Sequence, residues 1–212
     1  MKTRERILQA SLQLFNEQGE RQVSTNHIAA HLGISPGNLY YHFRNKPQIV
    51  AELFARYRSQ LISLLDLPSG RELGTEDKRR YLEGIFSGLW QYRFLHRDLE
   101  SLLEADLQLA AEYRRFAHQC IDSGRRIYQA LVDAGILRAG EADPQALAVN
   151  SWLLLTGWLK FVSSVLVEDS SAPLQPEHMR QGIYQVLVQE RGLVSEAARD
   201  AYEAMLAEYR PA

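Results

Sequence analysis

The sequence predicts an all-α protein. Three observations carry this. Apolar residues recur at three- and four-residue spacing along most of its 212 positions, no alternating stretch of strand length occurs, and the glycines and prolines fall between the periodic segments. Hydrophobic residues at 46% and charged residues at 24% are ordinary for a folded globular chain that can bury a sizeable core.

The elements follow in order. Ile7, Leu8, Ser11, Leu14 and Phe15 form one stripe over residues 3–18, which Gly19 closes. Ser24 and Thr25 are N-cap candidates for a helix carrying Ile28, Ala29 and Leu32, which Gly33 ends. Ser35 caps a third helix with Pro36 in its first turn. Asn45 caps a fourth, whose apolar face runs from Ile49 to Leu65.

"LPSGRELG", 67–74, reads as a linker. Helices are expected around 75–94, 97–104 and 106–134, the last closed by Gly135. Asp143 and Pro144 start a helix running to about Val167; "EDSSAPLQP" breaks the chain, and two more helices follow around 176–191 and 195–209. The stretch 146–167 is long enough to span a bilayer, but Asn150 and Lys160 interrupt it and no second such segment occurs. It reads as a core helix with one face for a partner subunit, and no membrane partner is expected.

Charge is uneven. The net charge is −2, yet residues 1–60 hold eight Lys/Arg against four Asp/Glu, so a basic head precedes an acidic body and a polyanion suits the head. The single cysteine, Cys120, and the absence of a signal-like apolar N-terminal run place the protein in the cytoplasm. His96, His118 and His178 show no metal-ligand spacing, and Cys120 lies two positions from His118, on a different helix face; no metal, cofactor or catalytic residue is expected.

Residues 25–43 meet the needs of a helix-turn-helix. Ala29 is small where two helices touch, Gly33 is free of a Cβ at the turn, and Ile28, Leu32, Ile34 and Leu39 lock the pair. Leu39 and Phe43 face inward. Asn38 can read a base edge, and tyrosine hydroxyls and Lys46 can bond phosphates. The tyrosines also suit simple packing between helices.

"RERILQASLQLFNEQG" and "VSTNHIAAHLGISPGNLYYHFRNKPQIVAELF", within residues 4–54, closely resemble the DNA-binding domain of the TetR family of bacterial transcriptional regulators. The shared pattern is "T...IA...G.S.G.LY.HF..K". The resemblance implies DNA contacts from Thr25, Ser35, Pro36, Gly37, Asn38, Tyr40, Tyr41, His42 and Lys46. The recognition helix departs from members with a basic one, having no Arg or Lys before Arg44.

The resemblance further implies an N-terminal three-helix DNA-binding domain at 1–48. It is joined to a helical domain at 49–212 that binds an effector and dimerises. The implied function is a homodimeric repressor released from a palindromic operator in double-stranded DNA by a small molecule, here of apolar character. Trp90, Phe94, His118 and Trp152 are the candidates for an effector pocket, with a core role the alternative for the aromatics. Trp152, Leu155, Leu159, Val162, Ile183 and Leu187 are the candidates for the dimer interface. An enzyme with an accessory DNA-binding head is the competing reading. It needs a nucleotide loop, metal cluster or nucleophile motif after residue 75, and none occurs.

Overall fold

The computed structural model describes residues 2–167 and 174–211, so most of the expected break at "EDSSAPLQP" lies outside the described residues. The described residues are helical, with one isolated antiparallel bridge between Leu137 and Val194. They form two compact units, Met1–Ser59 with Tyr92–Arg114, and Gln60–Gln91 with Arg115–Ala212.

The first unit opens with α1 (Thr3–Gln18), α2 (Thr25–Leu32), α3 (Pro36–His42) and the start of α4 (Lys46–Leu64). Local chemistry sets their boundaries. Ser24 caps α2 by accepting from the His27 N–H at 3.2 Å, while His27 Nδ1 accepts from the Ser24 N–H in return. Gly33 closes α2 in the left-handed region at φ 65°, which only a residue without Cβ adopts without strain. The Ser35 hydroxyl caps α3 through the Asn38 N–H at 3.2 Å, and Asn45 Oδ1 accepts from the Gln48 N–H at 2.9 Å at the start of α4. Ile7, Phe15, Ile28, Leu39, Phe43 and Ile49 are fully buried.

The same unit takes in α6 (Arg93–Arg97), α7 (Leu99–Ala105) and the start of α8 (Leu107–Asp133). The helix expected around 97–104 is α7, while the end of the helix expected to reach about residue 94 is a separate short helix, α6. The reason is tertiary. The Phe94 N–H donates to Asn16 Oδ1 at 3.0 Å, Arg97 donates to the Phe15 carbonyl at 2.6 Å, and Asp98 accepts from the Glu20 N–H at 3.0 Å. The Phe15 carbonyl also accepts the Gly19 N–H at 3.1 Å, and Arg97 donates in addition to the Asn16 carbonyl at 3.3 Å, so its guanidinium binds the last turn of α1.

The second unit holds the end of α4, α5 (Thr75–Gln91), the rest of α8, α9 (Pro144–Phe161), α10 (Pro176–Glu190) and α11 (Arg199–Glu208). Asp143 caps α9 through two backbone N–H groups, and α9 continues into a π-helical turn, Val162–Leu166. Among the described residues Pro144–Leu166 is the one helix long and apolar enough to cross a membrane by length and composition. A Cβ at Gly182 would run into the Phe86 ring, so glycine there lets α10 lie close on α5.

A buried polar network holds this unit together. Lys78 donates to Glu190 at 2.7 Å and to the Tyr128 hydroxyl at 3.2 Å; Tyr128 also bonds Ser151 and Glu190, and Tyr202 donates to Glu190 at 2.9 Å. Five helices meet there, and burial beside the Glu190 carboxylate pushes both tyrosine hydroxyls well above their ordinary range.

The residues expected at the dimer interface differ in exposure within the single chain. Leu159, Val162, Ile183 and Leu187 are at most 4% exposed within the single chain, so they already serve its own core, while Trp152 and Leu155 are half-buried. Helical spacing alone does not tell which of two apolar faces meets the chain itself.

Candidate nucleic-acid interface

The α2–α3 pair presents its polar side outward. Ser35, Pro36, Gly37 and Asn38 are exposed, forming the first turn of α3, and Tyr41 is 86% exposed. An exposed aromatic of that size has no packing role of its own within the chain. Its ring meets His42 edge-on at 5.1 Å. Leu39 and Phe43, fully buried on the opposite side, fix the helix so that Asn38 and Tyr41 project away from the core. The missing side chain at Gly37 leaves the helix N-terminus open to a close approach by a groove edge.

Beside this helix runs a cleft lined by Arg21, Gln22, Ser24, Thr25, Tyr40, Arg44, Asn45 and Lys46, with Val23 at its floor. The lining holds three cations and no carboxylate. Thr25 and Tyr40 share a hydroxyl–hydroxyl bond of 3.0 Å, which ties the start of α2 to α3. The N-terminus of α2 opens here and adds its positive dipole end. Thr25, Tyr40 and Lys46 are thus brought together, while Ser35, Pro36, Gly37, Asn38 and Tyr41 lie on the outer face of α3; His42 is half-buried behind Tyr41.

Arg21 and Arg44, which are not among the residues expected to contact DNA, stand beside those that are. Neither carries an ion pair among the described residues, and Arg21 Nε donates to Ser101 at 2.8 Å. The signal for them was the charge excess of the head. Two other head arginines are paired with head acids. Arg4 pairs with Glu52 and Arg56 with Glu5, each through two hydrogen bonds of 2.7–2.8 Å across α1 and α4. These guanidinium bonds hold the Glu5 and Glu52 carboxyls below the usual carboxylate range.

Of the candidate effector residues, Phe94 belongs to the first unit and Trp90, His118 and Trp152 to the second. Phe94 is fully buried in the first unit against Phe15, with ring centroids 5.2 Å apart. His118 is exposed, Trp152 packs on Phe116 at 6.1 Å, and Trp90 is half-buried on α5. Cys120 is buried, and burial pushes its thiol up to about 12, so it is an inert core residue. Among the described residues no group of three His, Cys, Asp or Glu side chains could hold a metal ion.

A different apolar void lies in the first unit, bordered by Phe54, Tyr57, Leu95, His96, Leu102 and Tyr113 and about the size of one water. His96 Nε2 meets the Tyr57 hydroxyl at 2.8 Å. Its Nδ1 is buried without a partner, and burial lowers the ring to about 4.

Comparison with known proteins agrees with this geometry. Residues 7–53 match the family model described as bacterial regulatory proteins, tetR family, and residues 56–202 match that described as bacterial transcriptional repressor. A TetR-family transcriptional regulator from Marinobacter aquaeolei VT8 superposes over the whole of both chains with a TM-score of 0.91 and 45% identity. The HTH-type transcriptional repressor BepR of Brucella suis is 39% identical over 56 residues, 26% of this chain and 27% of BepR. The HTH-type transcriptional regulator AcrR of Shigella flexneri is 34% identical over 59 residues, 28% of this chain and 27% of AcrR. The alignments thus span about a quarter of the length of these curated relatives. With family models matching both the head and most of the remaining chain, the protein belongs to the TetR family of DNA-binding transcriptional regulators.

Proposed function

We propose that the protein is a cytoplasmic homodimeric repressor that binds a palindromic operator and is released by a small molecule. The observation that carries the DNA reading is the outward face of α3, where Asn38 and the 86% exposed Tyr41 stand next to a cleft lined by Arg21, Arg44 and the Glu20-paired Lys46. In this reading Thr25, Tyr40, Tyr41 and the three cations bond phosphates, and Asn38 reads a base edge. Ser35 contributes its backbone, its hydroxyl being engaged in the cap. Gly37 and Pro36 give closeness, and His42 supports Tyr41.

The division of labour proposed along the chain is a reading head at 1–48 and a regulatory body at 49–212. Exposed Leu153, Phe161 and Val165 of the α9 helix and its π-helical extension recur every fourth residue with Gly157, and this stripe is the proposed dimer face, with Leu166 and Val188 at its margins. For the effector, the void beside Tyr57 and His96 replaces the sequence-chosen pocket; opening it would offer an apolar ligand one unsatisfied imidazole nitrogen. Footprinting on genomic DNA with the purified protein, followed by a screen for molecules that release it, tests the proposal. A two-fold related protected site is expected; binding that ignores sequence entirely would overturn it.

A further inference from the structure

Lys46 is not a free cation. Its ammonium donates to the Glu20 carbonyl at 2.9 Å and lies 2.8 Å from the Glu20 carboxylate, in a pair whose side chains are only 26% and 11% exposed. Glu20 itself is fixed. Its N–H donates to Asp98 at 3.0 Å, and the preceding turn of α1 is clamped by Arg97. The pair therefore sits at the edge of the cleft with a defined geometry, unlike a loose surface ion pair.

The two contacts differ in consequence. The backbone carbonyl holds the ammonium in place whatever the charge of the side chain. The carboxylate adds a negative charge that cancels Lys46 toward a phosphate. We infer that Glu20 attenuates DNA affinity by occupying Lys46 in the position a phosphate would take, making it an internal competitor of the nucleic-acid backbone. The inference rests on the reading of the cleft as a phosphate site. It gives Glu20 a role in setting how tightly the protein holds all duplexes, and therefore how readily it leaves an operator. Sequence preference would be untouched, because no base edge is involved.

The experiment uses the full-length protein and fluorescent duplexes, one carrying the footprinted site and one unrelated, titrated over a salt series. Glu20→Gln keeps an oxygen to accept from Lys46 and removes the charge. The expected result is tighter binding to both duplexes by roughly two- to five-fold. The slope of log K against log salt should steepen by roughly 0.9, the increment for one more neutralised phosphate. In a Lys46→Gln background the same change should have no effect, since the released cation is gone. Glu20→Ala, which also preserves the backbone contact, reads the same sign if the glutamine variant folds poorly. If Lys46→Gln weakens binding while Glu20→Gln leaves it unchanged or weaker, Glu20 orients Lys46 and the inference is overturned. Equal tightening in the Lys46→Gln background would also overturn it, as direct repulsion of DNA. If the unmodified protein binds no duplex in a salt-dependent way, the phosphate-site reading fails and takes this inference with it.

Discussion

Asn38 and Tyr41 share an exposed helix face but offer a ligand different chemistry. An amide pairs with a base edge by two hydrogen bonds, so Asn38→Ala should alter sequence preference, at about 1–3 kcal/mol for the position it reads. Tyr41→Ala should lower affinity for all sequences alike, as a phosphate contact does. Competition binding against a randomised duplex pool separates the two effects. Leu39→Ala should instead destabilise the head by about 2–5 kcal/mol, because its side chain is fully buried. His96 makes a pH-dependent contribution. Its ordinary value of 6.5 falls to about 4 in the folded state, so the unfolded chain binds the proton first as pH drops. Stability from this group is complete above about 6.5 and lost as pH falls through 4, a total of about 3 kcal/mol. Denaturant melts between those values should show the decline, and His96→Phe should flatten it. Of these residues, sequence gave Leu39 and Asn38 by helical phase. It could not give the pairing of Lys46, because Glu20 lies 26 positions away and the contact depends on how α1 and α4 meet.

At the scale of elements, legibility follows the range of the forces involved. The bounds of α2, α3 and α9 were readable because their caps act over two or three residues: Ser24 on His27, Ser35 on Asn38, Asp143 on Gln145. The separation of α6 from the end of α5 was not readable. It answers to bonds that join Phe94 and Asp98 to the end of α1 across 78 positions. The Lys78–Glu190 network was equally hidden, since a charged residue on a helix reads as solvated until its partner, 112 positions away, is seen. Its energetics are asymmetric. Both side chains lie in the interior, at 6% and 0% exposure, so removing one leaves the other desolvated and uncompensated. Glu190→Leu should cost about 3–5 kcal/mol. The double variant Lys78→Met/Glu190→Leu should recover most of that loss, because neither charge remains to be hydrated. Urea unfolding of both variants checks this; equal losses in single and double would mean that packing, not charge, governs the site.

For the whole molecule the decisive quantity is how many recognition helices act together. One α3 of seven residues reaches only a few base pairs, too few to select a site in a genome, whereas two heads related by symmetry double the contact and demand a palindrome. Only a third of the most apolar window in the α9 helix is buried within the chain, and Leu153 and Val165 remain 63% and 61% exposed. Apolar side chains spaced four apart on one stripe suit a helix-on-helix seam with a second copy. Leu153→Glu combined with Val165→Glu should therefore leave the chain folded, since neither residue belongs to its core, while placing like charges across a self-complementary contact. Sedimentation should show a dimer for the parent and a monomer for the variant at micromolar concentration. Affinity for the two-fold site should fall far more than affinity for unrelated DNA, because each isolated head keeps its phosphate contacts and loses only the second head's share. A variant that stays dimeric would move the interface elsewhere. A parent that is monomeric and still binds its site at full affinity would remove the need for a symmetric assembly altogether.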